Sequence, residues 1–320
     1  MKKILIVGKT SYIGCAFEKW VQKQNPDWIV HRVSSRDEAW RQVDFGQYDS
    51  ILHVAGIAHV NASADMEEDY YRVNRDLTVA CCKKAKEEGA GQFIFLSSII
   101  VYGESKSLEP MRITADTRPE PNGFYGQSKL EAEQGILPMQ SPDFSVAVVR
   151  PPMVYGAGSK GNYRRLSKLA KLTPVFPNFS NKRSMIHIDN LCECLRLIVE
   201  EWGQGIYYPQ NPQYVSTTEL VVSIRRFHGK KMHVTKLFNG MLRLLAGKMA
   251  ILNKIFGSLY YDKELSGCFQ GRYQVVDLSE SVARTESLQV ERRKKIEAIT
   301  IYRRNNALET KSGKIRIKIK

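Results

Sequence analysis

The sequence has no run approaching the roughly 20 consecutive apolar residues that a membrane-spanning helix needs. Its six cysteines, Cys15, Cys81, Cys82, Cys192, Cys194 and Cys268, form no CxxC pair and no regular framework. That excludes a zinc ribbon or a disulfide scaffold and points to reduced thiols in a cytoplasmic protein. Internal repeats and low-complexity blocks are missing too, which removes repeat arrays. The opening MKKILIV starts like a signal peptide, but its apolar run stops at Val7 and GKTSYIG follows without a small-residue cleavage pattern. It reads as a first buried strand.

What is present is a chain of 320 residues, 43% hydrophobic and 25% charged, long enough to bury a large core. The formal charge is +15, yet residues 292–320 hold eleven Lys/Arg against two Glu and so account for +9 of it. This basic tail, set off as residues 286–320, reads as solvated chain or as a peripheral contact with an anionic membrane. No nucleic-acid motif or aromatic stacking series accompanies it, so no specific nucleic acid is expected. The segment 237–259, LFNGMLRLLAGKMAILNKIFGSL, reads as a packed helix or a helical hairpin interrupted at Gly247, or as a surface amphipathic element.

Short, continuously apolar runs at 3–7, 28–33, 50–55, 92–98 and 144–152 alternate with helix-like segments at 13–24, 67–88 and from Phe124. Strands buried on both faces read this way. The alternation predicts an α/β fold, a doubly wound parallel sheet of Rossmann type over residues 1–152, whose ligands sit beyond the carboxyl ends of the strands. Residues 153–285 predict a smaller, mainly substrate-binding region, some of whose elements return to the first half.

GKTSYIG follows the first strand and opens the first helix. Gly8 permits a tight turn, the amides around Ser11, Tyr12 and Ile13 suit a pyrophosphate at the helix end, and Gly14 lets the helix approach the sheet. Cys15 follows Gly14 where a P-loop needs Lys, so a dinucleotide is favoured over ATP. After the second strand stand Ser34 and Arg36, which suit a ribose 2′-phosphate, and then Asp37, which suits a free ribose hydroxyl; NAD and NADP both stay open. Asp44 and Phe45 are candidates to bracket an adenine. Val54, Ala55 and Gly56 offer a close passage for a cofactor, with Asn74 in the following helix.

Ser98 ends FLSS, and YGQSK places Tyr125 and Lys129 one helical turn apart. A nearby ammonium and a cationic nicotinamide favour the phenolate of a tyrosine whose free pKa is about 10. Lys129 is also placed to hold the nicotinamide ribose, and Ser98 to orient the proton passing to or from Tyr125. That set suits hydride transfer at a carbinol and requires no metal.

With these motifs in order, the chain resembles the extended short-chain dehydrogenase/reductase family, in its NAD-dependent branch of nucleotide-sugar epimerases, dehydratases and reductases. The resemblance rests on GKTSYIG, HVAG at 53–56, Asn74, FLSSIIVYG at 95–103, YGQSK, RPPMVYG at 150–156 and KRSMIHIDN at 182–190. It implies Ser98, Tyr125 and Lys129 as the catalytic set and NAD or NADP as cofactor. Ser11 stands where a third glycine is usual, so its side chain must point away from the pyrophosphate.

Family dehydratases place an Asp-Glu pair just after the catalytic Ser/Thr, whereas this chain has Ile99-Ile100. Redox at one carbon remains: a 4-epimerase acting on a UDP-hexose or UDP-N-acetylhexosamine, or a reductase of a nucleotide-linked 4-keto-6-deoxy sugar. The resemblance implies that Arg183 meets the nucleotide diphosphate, with Asn162 nearby, and Met153 stands where many UDP-sugar enzymes have Asn. A homodimer is compatible with all of this. A non-catalytic, cofactor-sensing or interaction protein on the same fold is the reading from another class.

Overall fold

The computed structural model describes residues 1–58, 64–104, 107–246 and 249–288. Most of the predicted tail and Gly247 lie outside them. In chain order the first part comprises β1 (Lys3–Val7), α1 (Tyr12–Gln24), β2 (Ile29–Val33), β3 (Ser50–His53), α2 (Glu67–Tyr70), α3 (Leu77–Glu87), β4 (Gln92–Leu96), β5 (Met111–Ile113), α4 (Phe124–Ile136) and β6 (Ser145–Val149). Then follow β7 (Met153–Tyr155), α5 (Asn162–Leu172), β8 (Val175–Pro177), β9 (Met185–His187), α6 (Ile188–Glu200), β10 (Gly205–Tyr207) and α7 (Thr217–Phe227). Last come β11 (His233–Thr235), α8 (Asn239–Ala246), α9 (Ala250–Phe256) and β12 (Leu259–Tyr261), with residues 278–288 helical.

Six strands form one parallel sheet in the order β10-β6-β4-β3-β1-β2. The apolar runs are continuous because both faces are covered. Alternate residues of β1 divide between two cores. Ile4 and Ile6 join Phe17 and Val21 of α1 and Leu191, Leu195 and Ile198 of α6. Leu5 and Val7 join Cys81, Cys82 and Ala85 of α3 and Ala132 and Ile136 of α4. The sheet is doubly wound, and the order reverses between β1 and β3, which opens a crevice at their carboxyl ends.

Elements beyond residue 152 also pack on the central sheet. Helix α6 packs beside α1, with Trp20 Nε1 donating to Glu193 at 2.7 Å, and β10 pairs with β6 as the edge strand. A smaller layer is built from β7 paired with β9, β8 with β11, and β5 with β12, around a core that includes Tyr155, Tyr163, Phe176, Leu220 and Ile224. Among the described residues no helix is long and apolar enough to cross a membrane.

One buried ion pair fastens the two layers. Glu133 of α4 is 0% exposed and Arg150, just past β6, is 4% exposed. Arg150 Nε donates to both Glu133 oxygens at 3.1 Å, and Nη2 adds a third bond. Its Nη1 donates to the Tyr102 hydroxyl at 2.7 Å, the Ser97 hydroxyl donates to Glu133, and Tyr261 of β12 donates to the Arg150 carbonyl at 2.9 Å. Glu133→Ala leaves a guanidinium buried without its partner, so urea unfolding should show a loss of about 3–5 kcal/mol. A double-mutant cycle with Arg150→Met should show strong coupling between the two positions.

Candidate active site

At the end of β1 the N–H groups of Gly8 and Lys9 both donate to the Val33 carbonyl at 3.0 Å, which ties the turn to β2. Gly8 has φ +128°, and a Cβ there would lie 3.1 Å from Ala55 N and from Val54 Cγ2. Gly14 is crowded in the same way, 2.9 Å from Ile6 Cγ2. Glycine at these two positions lets α1 start hard against the sheet with its positive end at the crevice. The Ser11 hydroxyl turns into the helix as its N-cap, accepting from Gly14 N at 3.4 Å. The Tyr12 side chain runs across to the smaller layer, where a Cβ on Gly156 would lie 2.6 Å from its hydroxyl.

The stretch expected as one helix over 67–88 contains a π-helical turn, Tyr71–Asp76. Such turns widen the helix by one residue and are frequent at functional sites. Asn74 is thereby fully buried. Its Oδ1 accepts from Ile57 N at 2.8 Å, and its Nδ2 donates to the Ile57 carbonyl and the Ser128 hydroxyl, both at 3.2 Å. A Cβ on Gly56 would lie 3.0 Å from Asn74 Oδ1 and 3.1 Å from Lys129 Nζ. Gly56, Asn74 and Lys129 therefore meet at one point beyond β3.

Ser98, Tyr125 and Lys129 converge beside that point. Ser98 caps a short 3-10 turn, Ile99–Tyr102, through a 3.3 Å bond from Ile100 N. The same side chain lies near the Tyr125 phenol. Burial pushes the Tyr125 phenol up to about 12, against the Ser98 side chain, which pulls it down. Tyr70 packs edge-on at 5.8 Å between ring centroids. Burial lowers Lys129 to about 8, opposed by Glu133, while its Nζ donates to the Leu96 carbonyl at 3.0 Å and sits 4.6 Å from the Phe95 ring centroid. The sequence expectation of a phenolate invoked Lys129 together with a cationic nicotinamide. Burial dominates, and in the protein alone the phenol is neutral at pH 7.

At the end of β2 the Ser34 hydroxyl accepts from Arg36 N at 3.3 Å, and its nearness to Asp37 holds that carboxyl below its usual range with help from Lys9. Lys9 and Arg32 were not singled out in the sequence, although Lys9 lies inside the glycine turn. Arg32 Nη1 donates to the Lys9 carbonyl at 2.7 Å. Met153 is half-buried in β7 opposite Met185, and Asn162 is exposed at the start of α5. Arg183 donates through Nη1 to the Lys254 and Ile255 carbonyls in the last turn of α9.

Asp44 and Phe45 do not join the site. They precede β3 and lie at the amino ends of the strands, where Phe45 N donates to Glu88 at 2.7 Å and Asp49 meets Lys3, the first residue of β1. Phe45 is fully buried, and the Asp44 carboxylate accepts from Gly46 N at 2.9 Å. Neither can face an adenine at the opposite end. Sequence reading also missed Glu133, although Tyr125, Lys129 and Glu133 follow one another at four-residue steps along a single helix face.

A family model described as "Epimerase: NAD dependent epimerase/dehydratase family" matches residues 4–208, and the chain belongs to that family. It is 29% identical over 288 residues to a UDP-glucose 4-epimerase of Vibrio cholerae, covering 82% of this chain and 87% of that protein. Among solved structures, the UDP-glucuronic acid 4-epimerase of Bacillus cereus in complex with NAD aligns with TM-score 0.67 at 17% identity, over 90% of this chain and 99% of that one. The dTDP-4-dehydrorhamnose reductase of Bacillus anthracis in complex with NADP aligns with TM-score 0.66 at 16% identity, over 89% and 98%.

Two measurements probe this geometry. Gly56→Ala should cost about 1–3 kcal/mol in chemical denaturation by crowding Asn74 and Lys129. Gly240→Ala, with nothing within 4 Å of its Cβ, should be neutral or stabilise by about 0.5–1 kcal/mol. Lys129 has a folded pKa of about 8, below its unfolded value, so below pH 8 it opposes folding and the penalty fades as pH rises toward 10.5. Lys129→Met should therefore raise stability near pH 6–7, on the order of 1–2 kcal/mol. That gain should shrink as the pH rises.

Proposed function

We propose that this member of the NAD dependent epimerase/dehydratase family is a nucleotide-sugar 4-epimerase, acting on a UDP-hexose or UDP-N-acetylhexosamine through transient oxidation at carbon 4. The observation that carries the reading is the convergence of Ser98, Tyr125 and Lys129: the Ser98 side chain is near enough to the Tyr125 phenol to lower it, and Lys129 follows one turn along the same helix. The donor set suits a dinucleotide: Gly8 and Gly14, which have no room for a Cβ, hold the positive end of α1 at the crevice, and Gly56 brings the backbone against Asn74 and Lys129. When bound, the nicotinamide supplies hydride acceptance and return.

The turn from Gly8 through Ser11, Tyr12 and Ile13 to Gly14 would hold the diphosphate. Val54, Ala55 and Gly56 would flank it, Asn74 would fix the backbone beside it, and Ser34 and Arg36 would meet the adenosine ribose. Lys129 Nζ would hold the nicotinamide ribose. Tyr125 Oη takes the proton from the carbon-4 hydroxyl and gives it back on the return half, and Ser98 Oγ orients that hydroxyl. Positive charge entering the crevice opposes the burial that keeps the phenol neutral, so the base form is favoured only in the loaded site. Arg183 would bind the substrate diphosphate. Its two described bonds use Nη1, so Nε and Nη2 would be the donors to the phosphate oxygens. Met153 and Asn162 would line the sugar side.

Dehydration lacks its carriers, since Ile99 is buried among Val101, Tyr102, Ile113 and Tyr261. A 4-ketosugar reductase is the second reading. It is favoured by Ser34, Arg36 and Lys9 around the end of β2, which suit a 2′-phosphate and hence NADPH.

The test is to identify the nicotinamide carried through purification and to incubate the protein with UDP-glucose, UDP-N-acetylglucosamine and a 4-keto-6-deoxy derivative. Interconversion of epimers without added reductant is expected. Stoichiometric NADPH consumption without epimer exchange would replace the epimerase by the reductase. Tyr125→Phe should lower kcat by about 10²–10⁴. Unchanged conversion after combined replacement of Ser98, Tyr125 and Lys129 would remove the catalytic assignment and leave a non-catalytic role.

A further inference from the structure

Helix α8 is apolar on two opposite sides. Leu242 and Ala246 are buried in the smaller layer. Leu237, in the turn before the helix, and Met241 and Leu244 follow at i, i+4 and i+7 and stand 87%, 52% and 80% exposed. The outward stripe does not stand alone. Of the fourteen large apolar side chains exposed among the described residues, nine lie at the end of α5, on β8 and β11, and along Leu237–Met249. These elements are contiguous: β11 pairs with β8, Asn178 N donates to the Thr235 carbonyl, and Asn239 Nδ2 donates to the Asn178 carbonyl at 2.9 Å.

The charge of these elements is of one sign. Residues 144–188 and residues 220–261 each contain eight Lys or Arg and no Asp or Glu. Lys168, Lys230, Lys231, Lys236 and Arg243 are exposed around the apolar stripe. Among the carboxylates that other elements bring near, Glu286 pairs with Lys171 at 2.7 Å, Glu104 pairs with Lys254 at 3.3 Å, and Glu219 caps α7 through Ser216 N at 2.8 Å.

We propose that the face formed by α8, β8, β11 and the end of α5 seats the protein on an anionic phospholipid surface, with Leu237, Met241 and Leu244 entering the headgroup boundary and the surrounding lysines and arginines meeting lipid phosphates. Both halves of the surface call for that partner. Lipid offers apolar depth beneath a negative layer, the combination that interfacial helices use. A second copy docked by two-fold symmetry sets this basic face against itself with no carboxylate to compensate. A nucleic acid neutralises the charge but gives the exposed Leu and Met side chains nothing apolar to enter. The inference does not depend on which sugar reaction the crevice performs, and it assigns the contact to named side chains among the described residues.

The test is co-sedimentation of the full chain with phosphatidylcholine vesicles and with vesicles containing about 30% phosphatidylglycerol, near 0.1 M and 0.5 M salt. Binding to the anionic vesicles, weakened by salt, is expected. The combined Leu237→Ser, Met241→Ser and Leu244→Ser variant should bind roughly 10-fold more weakly. Lys236→Glu with Arg243→Glu provides a second variant that leaves the apolar side chains in place and should lose binding to a similar degree. Far-UV circular dichroism checks the fold of each. The basic tail is retained throughout, so equal binding by parent and both variants would assign the contact to the tail and overturn the proposal. Absence of anionic binding by the parent overturns it as well. So does a parent oligomer, seen by sedimentation velocity, that dissociates in the serine variant while vesicle binding is unchanged.

Discussion

The Glu133–Arg150 pair is the constraint around which the candidate site is arranged. Glu133 shares a helix face with Tyr125 and Lys129, so anchoring its carboxylate under Arg150 fixes the rotation of α4 about its axis. Ser97 donates to the same carboxylate from β4, and its neighbour Ser98, on the opposite side of the extended chain, is left facing Tyr125. Arg150 reaches the Tyr102 hydroxyl, while its own carbonyl accepts from Tyr261, more than a hundred residues later in the chain. A buried pair of this kind adds little net stability, because desolvation offsets most of the Coulomb gain. Its contribution is positional: one ion pair aligns the end of β4, the helix of Tyr125 and the smaller layer's β12.

The same burial sets the electrostatics. It raises Tyr125 and lowers Lys129, so both groups are driven toward their neutral forms, and Glu133 is the charge that resists this for Lys129. A site held in that state responds strongly to a charge brought into it, since little water is present to screen the newcomer.

Much of this was legible in the sequence because it is local. The apolar runs of β1, β3, β4 and β6 announce double coverage, and Tyr125 and Lys129 lie one turn apart on any helix. Other features depend on register. A single extra residue in a turn is invisible to periodicity, so the π-helical segment that buries Asn74 read as plain helix. Asp44 and Phe45 looked suitable by residue type, yet β3 begins only at Ser50, which places them at the amino end of the sheet. Glu133 was passed over because a carboxylate on a mixed-polarity helix normally marks the solvated face. Only its distant partner Arg150 reverses that reading.

The net charge shows most clearly how a sum conceals structure. Residues 1–291 carry +6, which looks nearly balanced beside a tail of +9. Within that body, however, the segments 144–188 and 220–261 carry +16, so the rest of residues 1–291 carries −10. The smaller layer is therefore cationic and the sheet-bearing half anionic, a polarity fixed by the fold. Such a molecule is oriented by the field of a negative surface before it touches one, because attraction on one side is matched by repulsion on the other within about a Debye length. The position of the charge, more than its total, determines which side of the protein arrives first.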